Sequence, residues 1–189
     1  MKAPTKPTPR TPAEIAKPLN LSEAAQQLLT PGIAVRAYFE ALAAKPDLAE
    51  DAIKLLAGAL PKREGVWWGF VCLKESLKEP LSEKAVKALA DVEKWIRNPT
   101  EPNRKAVAAS AEAAGRDNGP GCLASAAAFS GGSLSPPRQP VVKPPEHLPA
   151  IFLATAMIIV AKSDSKNTAA HLAKFLGLGQ QVTAGQLKW

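Results

Sequence analysis

Apolar residues recur along this chain at spacings of three and four, in runs of ten to fifteen residues separated by proline, glycine or a capping side chain. No run alternates apolar and polar residues convincingly enough to read as a strand. Ser22 caps a short helix that ends at Thr30, Pro31 and Gly32, and Pro31 can start a second over residues 33–44. Asp47 with Glu50 resembles a capping box at the head of a third, whose Ala49, Ala52, Ile53, Leu56 and Leu60 fall on one stripe. Pro61 opens a fourth, Ser82 caps a fifth ending near Arg97, Asn103 to Gly115 is an alanine-rich sixth, and Pro120 to Phe129 a seventh. After a proline-rich connection come an eighth, Leu148 to about Lys162, and a ninth from about Asn167 that is expected to break at Gly177–Gly179. The pattern predicts an all-α fold: a compact bundle of about eight or nine short helices over residues 21–187, with a proline-rich strap. A short α-solenoid of helical hairpins is the alternative. "AIKLLAGAL" at 52–60 echoes "AVKALADVE" at 85–93, an offset of 85 − 52 = 33 residues, and helical-hairpin repeats have such periods. No third copy follows, so the bundle is preferred.

One stretch, "LPKREGVWWGFVCL" at 60–73, concentrates the aromatic residues. At 100° per residue Val66, Trp67, Trp68, Phe70, Val71, Cys72, Leu73 and Leu77 point nearly all round the axis, which predicts a helix enclosed by others. Gly65 and Gly69, four apart, leave bare backbone on one face. They are expected to receive a neighbour such as the alanine-rich "KAVAASAEAA" or "LASAAAF". Trp67 is taken as a core residue whose truncation would unfold the domain. A ligand pocket beside Trp68 is the second reading, and catalysis by Cys72 a distant third, because a reactive thiol wants a basic neighbour or a helix N-terminus.

Charge adds a tail to this picture. The chain has a net charge of +7, of which residues 1–20 supply Lys2, Lys6, Arg10 and Lys17 against Glu14, or 4 − 1 = +3. The remaining +4 is interleaved with acids, which predicts no nucleic-acid-binding face. With five prolines and few apolar side chains, residues 1–20 are expected to be disordered and dispensable for folding. No apolar run follows Lys2 to make a secretory signal. The longest uncharged apolar stretch, residues 148–161, is shorter than the ~20 residues a membrane span needs. Cys72 and Cys122 lie in apolar helical contexts, and reduced thiols in a cytoplasmic protein are the simplest reading.

Candidate chemistry is sparse. Residues 127–149, "AAFSGGSLSPPRQPVVKPPEHLP", hold six prolines from Pro136 to Pro149 and should be extended and stiff. The preferred reading is a strap packed along the bundle with Val141 and Val142 as anchors. The alternative is an exposed ligand for a partner's aromatic groove, since Pro137 to Pro140 satisfies P-x-x-P. Ser130 and Ser133 flank Gly131 and Gly132 but match neither a nucleophile elbow nor a phosphate loop. His147 and His171 lack zinc-ligand spacing, so no metal or cofactor is expected. Asp47, Glu50 and Asp51 share a first helical turn, where the helix dipole accounts for them. Arg63 opposes the dipole of its own helix. It is expected to reach the carbonyls around Ser130–Gly132 and fix the strap. The candidate binding residues are therefore Arg63, Glu64, Trp68, Ser130, Gly131, Gly132 and Ser133, with no catalytic residue.

Three blocks, "LPKREGVWWGFVC" at 60–72, "VEKWIRNPTEPNRKAVAASAEAA" at 92–114 and "AAFSGGSLSPP" at 127–137, resemble the signature of an uncharacterised bacterial family of alanine-rich helical domains. The closing "GLGQQVTAG" at 177–185 fits its C-terminal end, and the resemblance covers roughly residues 20–187. Phe129 departs from it, standing where a tryptophan is expected. The resemblance implies a setting in type VI secretion gene clusters rather than an activity. Two function classes follow: a non-enzymatic adaptor or chaperone-like accessory that binds a protein partner through a helical face or groove, or an enzyme or small-ligand binder with a pocket where Arg63 and Glu64 meet Ser130–Ser133. The identity of the partner and the oligomeric state are not written in the sequence.

Overall fold

The computed structural model describes residues 10–77, 80–135 and 138–187. Its helices are α1 (Pro12–Ala16), α2 (Glu23–Gln27), α3 (Val35–Ala43), α4 (Ala49–Ala59) and α5 (Lys62–Ser76), followed by α6 (Glu83–Arg97), α7 (Glu101–Ala114), α8 (Gly119–Ala128), α9 (Leu148–Lys162) and α10 (Thr168–Thr183). Single 3-10 turns lie at Lys17–Leu19 and Pro46–Leu48, and no strand occurs among the described residues. Several starts follow from their caps: the side chains of Ser22, Ser82, Thr100 and Asn118 each accept a hydrogen bond from the backbone N–H three residues on. The fold is the compact all-α bundle, and the solenoid alternative fails. Helix α4 packs against α9 and α10, far along the chain, which a repeat stacked only on its neighbours would not do.

Helix α8 is the centre. All ten of its residues are buried, and it packs most extensively on α7 and α9, then on α6 and α5. Its side chains are mostly Ala and Gly, so neighbouring backbones come close. A Cβ on Gly119 would lie 3.3 Å from the Ala156 carbonyl and collide with Val160. The sequence pattern placed α5 in this position. Helix α5 instead belongs to the ring around α8, burying Trp68, Phe70 and Cys72 while leaving Trp67 and Val71 part-exposed. Its bare face is filled by Leu153 of α9, whose side chain sits where Cβ atoms of Gly65 and Gly69 would be, with Leu123 of α8 also against Gly69.

Helix α10 runs unbroken through Gly177 and Gly179. Gly179 has a packing reason, because a Cβ there would fall 2.9 Å from the Trp68 ring and collide with Leu56. The Trp68 indole N–H donates to the Phe175 carbonyl of α10 at 2.8 Å, so the ring bolts α5 to α10 by shape and by hydrogen bond. Trp67 stacks on Phe70 with ring centroids 6.0 Å apart, and its own indole N–H is buried without a partner.

Disorder up to residue 20 does not hold for residues 10–20; residues 1–9 lie outside the described residues. Thr11 and Glu14 form a reciprocal capping box that starts α1, with Pro12 in the first turn. Ile15, Ala16, Leu19 and Leu21 are buried. Ile15 and Leu19 press on Gly58 of α4, where a Cβ would lie 2.7 and 2.9 Å from their side chains, and Arg10 donates to the Gly58 carbonyl. Asp51 likewise does more than face a helix dipole. Its buried carboxylate accepts from the Ser22 N–H at 3.0 Å and the Ser22 hydroxyl at 2.7 Å, tying the start of α2 to α4.

Trp68→Ala is expected to cost ~3–5 kcal/mol, as for other fully buried aromatics, and Trp67→Ala clearly less. Urea midpoints measured side by side check the order, and equal losses would overturn it. Deleting residues 1–20 uncovers Gly58 and strips away Ile15 and Leu19, an expected loss of ~3–6 kcal/mol. An unchanged unfolding midpoint would mean that the segment contributes nothing.

Candidate functional site

The sequence-predicted residues fall in three places. Arg63, in the first turn of α5, donates from Nε to the Ile96 carbonyl at 2.7 Å and from Nη2 to the Arg97 carbonyl at 3.3 Å. These carbonyls end α6, so a charge that opposes the dipole of α5 complements that of α6. Glu64 is half-buried beside it. Trp68 lies in the core against α10, with its indole N–H satisfied by Phe175. Ser130, Gly131, Gly132 and Ser133 follow the end of α8, where the expected clamp exists with a different arginine.

That arginine is Arg104, one turn into α7. Its Nε and Nη2 fork the Glu101 carboxylate, both at 2.7 Å, and Nη1 donates to the Ala128 carbonyl at the end of α8, at 2.6 Å. The pairing holds the Glu101 carboxyl below its ordinary range and the guanidinium above its own. Gly132 has a φ of 74°, and the Arg104 guanidinium occupies the space where a Cβ would stand, so any side chain there would collide with it. Arg63 was the residue expected here, and its hydrogen bonds instead go to α6. Spacing could not distinguish the two, since both arginines sit in a first helical turn.

The connection after the turn does not run as a straight strap. The Ser133 hydroxyl oxygen accepts from the N–H groups of Ser135 at 3.0 Å and Val142 at 3.2 Å, and the Leu134 N–H donates to the Val142 carbonyl at 2.8 Å. The chain therefore doubles back, with Arg138 at a φ of 73°. Val141 and Val142, the expected anchors, are 70% and 53% exposed, and Leu134 beside them is 48% exposed. Pro144 and Pro149 are the buried prolines. Pro136 and Pro137 lie outside the described residues.

Cys72 and Cys122 are free and buried, and burial pushes both thiols up, towards the unreactive protonated form. Among the described residues no three His, Cys, Asp or Glu side chains group to hold a metal ion. None of the described helices is long and apolar enough to cross a membrane.

A larger concavity went unread in the sequence. Helices α3, α4 and α10 enclose a groove of about 770 Å³ whose apolar walls include Phe39, Leu55, Leu56, Ala59 and Leu60. Gln180, Gln181 and Gln186 stand along its α10 side, and Arg36 and Glu40 pair with each other at 2.8 Å on the α3 side. Gly177 also lines it, and a Cβ there would meet nothing within 4 Å. The available signal was a second glycine in one helix with no fold reason to be there.

Arg104→Lys keeps the charge but loses the fork. Hydrogen exchange of residues 130–143 is expected to rise about tenfold or more while α8 stays protected, corresponding to loss of one charge-assisted contact. Arg63→Lys should leave that segment unchanged, and the reverse pattern would return the clamp to Arg63.

One family model matches, over residues 38–183, whereas no curated protein and no solved structure does. The matched span runs from α3 to the end of α10 and contains α8, the Arg104 clamp and most of the groove. By that span the chain belongs to DUF6931, a family of unknown function.

Proposed function

We propose that this protein is a non-enzymatic accessory, adaptor- or chaperone-like, that holds an apolar helix of a protein partner in the groove between α3, α4 and α10. The observation that carries the reading is Gly177. A glycine within a helix costs ~1 kcal/mol relative to alanine. Gly179 has its reason in Trp68, while Gly177 faces open space on the groove wall. A bare backbone there lets a second helix approach closely, as small residues do at helix contacts. The rim supports an uncharged occupant, because Arg36 and Glu40 neutralise each other and the glutamine amides both donate and accept. The resemblance drawn from the sequence blocks supplies the setting: an accessory of a type VI secretion cluster, working in the cytoplasm.

A small-ligand or enzymatic site at Arg63, Glu64 and Ser130–Ser133 has less support. Arg63 is engaged with the end of α6, and Ser133 with the base of its own loop.

Gly177→Leu tests the reading, since it puts a bulky side chain on the groove wall while replacing a poor helix former with a good one. The unfolding free energy should hold or rise by up to ~1 kcal/mol. A photo-crosslinker at Gln181 is expected to trap a defined partner in the producing cells, one not trapped from Val86 on α6, and Gly177→Leu should abolish that product. An undiminished product in the Gly177→Leu variant would refute the assignment.

A further inference from the structure

Helix α9 is apolar on every side, the pattern of a helix enclosed by others, yet one of its faces lies at the surface. Leu153, Ala156, Met157 and Val160 are buried in the bundle. Leu148, Ile151, Phe152, Thr155, Ile158 and Ile159 line the other side, spaced by three and four, and all six are part-exposed. A surface helix normally turns charged residues outward. Here residues 148–159 offer only the Thr155 hydroxyl on that side, and the first charge is Lys162. Single exposed aliphatics are ordinary, but a continuous stripe calls for a surface to cover it. At 1.5 Å per residue the stripe is about 18 Å long, and its spacing is the ridge along which a second helix packs.

Charge narrows what can cover it. Beside Phe152, at the surface between α7 and α8, stands Arg116. Its guanidinium carbon lies 5.4 Å from the ring centre of Phe152 and 5.6 Å from that of Phe129, and the two rings stack 5.3 Å apart. The rings brace the charge but accept no hydrogen bond in its plane, and the guanidinium makes none to any described residue. Arg10, Arg36, Arg63, Arg97 and Arg104, by contrast, each donate to a carbonyl or a carboxylate. The neighbouring charges are committed: Asp117 accepts from the Asn118 amide at 3.1 Å, and Lys162, at the far end of α9, holds Glu50 at 2.7 Å. The stripe therefore lacks an acceptor at Arg116. A second copy of this chain, pairing α9 on α9, would bring a further arginine and no acceptor, because residues 148–162 contain no acid.

We propose that the outward face of α9, with Arg116 beside Phe152, is a docking surface for an amphipathic helix of a protein partner. That helix lays its apolar side along Ile151 to Ile159 and sets a carboxylate against Arg116. No residue of α9 lines the α3/α4/α10 groove, so this face stands or falls independently of the partner assigned there.

The test is fluorescence anisotropy of a labelled synthetic helix titrated with the full chain at low salt. The peptide is built of alanine, with leucines at i, i+3, i+4 and i+7 and either glutamates or lysines at one end. The glutamate peptide is expected to bind about fivefold or more tightly than the lysine peptide, with a preference that shrinks as salt is added. Arg116→Glu should reverse the preference, and Ile158→Asp should weaken both peptides about tenfold or more. Urea midpoints show whether the variants fold, and Ile158→Ala replaces Ile158→Asp if the latter does not. Gly177→Leu should leave both affinities unchanged. Failure of the chain to bind either peptide overturns the proposal, as does equal binding of the two or a preference that survives Arg116→Glu. Binding lost in Gly177→Leu would place the peptide in the groove and overturn it as well. A wild-type dimer in sedimentation that Ile158→Asp dissociates would assign the face to a second copy instead.

Discussion

The bundle depends on α8 having almost no side chains to accommodate. Five helices in a small protein can share one centre only if the central helix is thin. A ten-residue segment made mostly of alanine and glycine lets α7 and α9 approach nearly backbone to backbone. Its polar atoms are settled locally: the Ser125 hydroxyl donates to the Gly121 carbonyl at 2.9 Å, and the Asn118 side chain caps the first turn. Cys122 serves as a small apolar residue whose sulfur donates to the Arg116 carbonyl at 3.1 Å. With that centre fixed, the larger side chains of α5, α9 and α10 interlock around it, Leu153 into the glycine face of α5 and Trp68 into that of α10.

A bundle of short helices has many ends, and each C-terminus leaves carbonyls without intrahelical partners. Three arginines meet this need from outside. Arg10 donates to Gly58 in the last turn of α4, Arg63 to the end of α6, and Arg104 to the end of α8. In each case a guanidinium N–H from outside the helix satisfies a carbonyl and places positive charge at the negative end of a helix dipole. Ionic groups at these positions act as splices between helices.

The helices were legible because each carries apolar periodicity between strong stops, as in the Ser82 cap before the α6 stripe. The N-terminal helix was missed although Thr11-Pro12-Ala13-Glu14 is itself a capping signature, because the density of prolines outweighed four local residues. The break expected in α10 assumed that glycines terminate a helix, whereas Gly179 is there to admit Trp68 from a segment over a hundred residues away. Trp67 and Trp68 are adjacent on one helix, and nothing within α5 says which faces inward; α10 decides. The same remoteness hid the groove, whose walls come from three separated helices, and made Arg63 and Arg104 interchangeable on paper. Local chemistry was readable, and contacts that close only in three dimensions were not.

The thinness of α8 has a thermal consequence. Each buried alanine removes one methyl group from water, so the hydrated apolar area that unfolding restores per residue is small along this helix. The rise in heat capacity on unfolding comes chiefly from that area. A centre built this way contributes little curvature to the dependence of stability on temperature. The temperature dependence of the bundle's stability is therefore set by the large side chains of the other helices, such as Trp68, Tyr38 and Phe175, rather than by the helix at its centre.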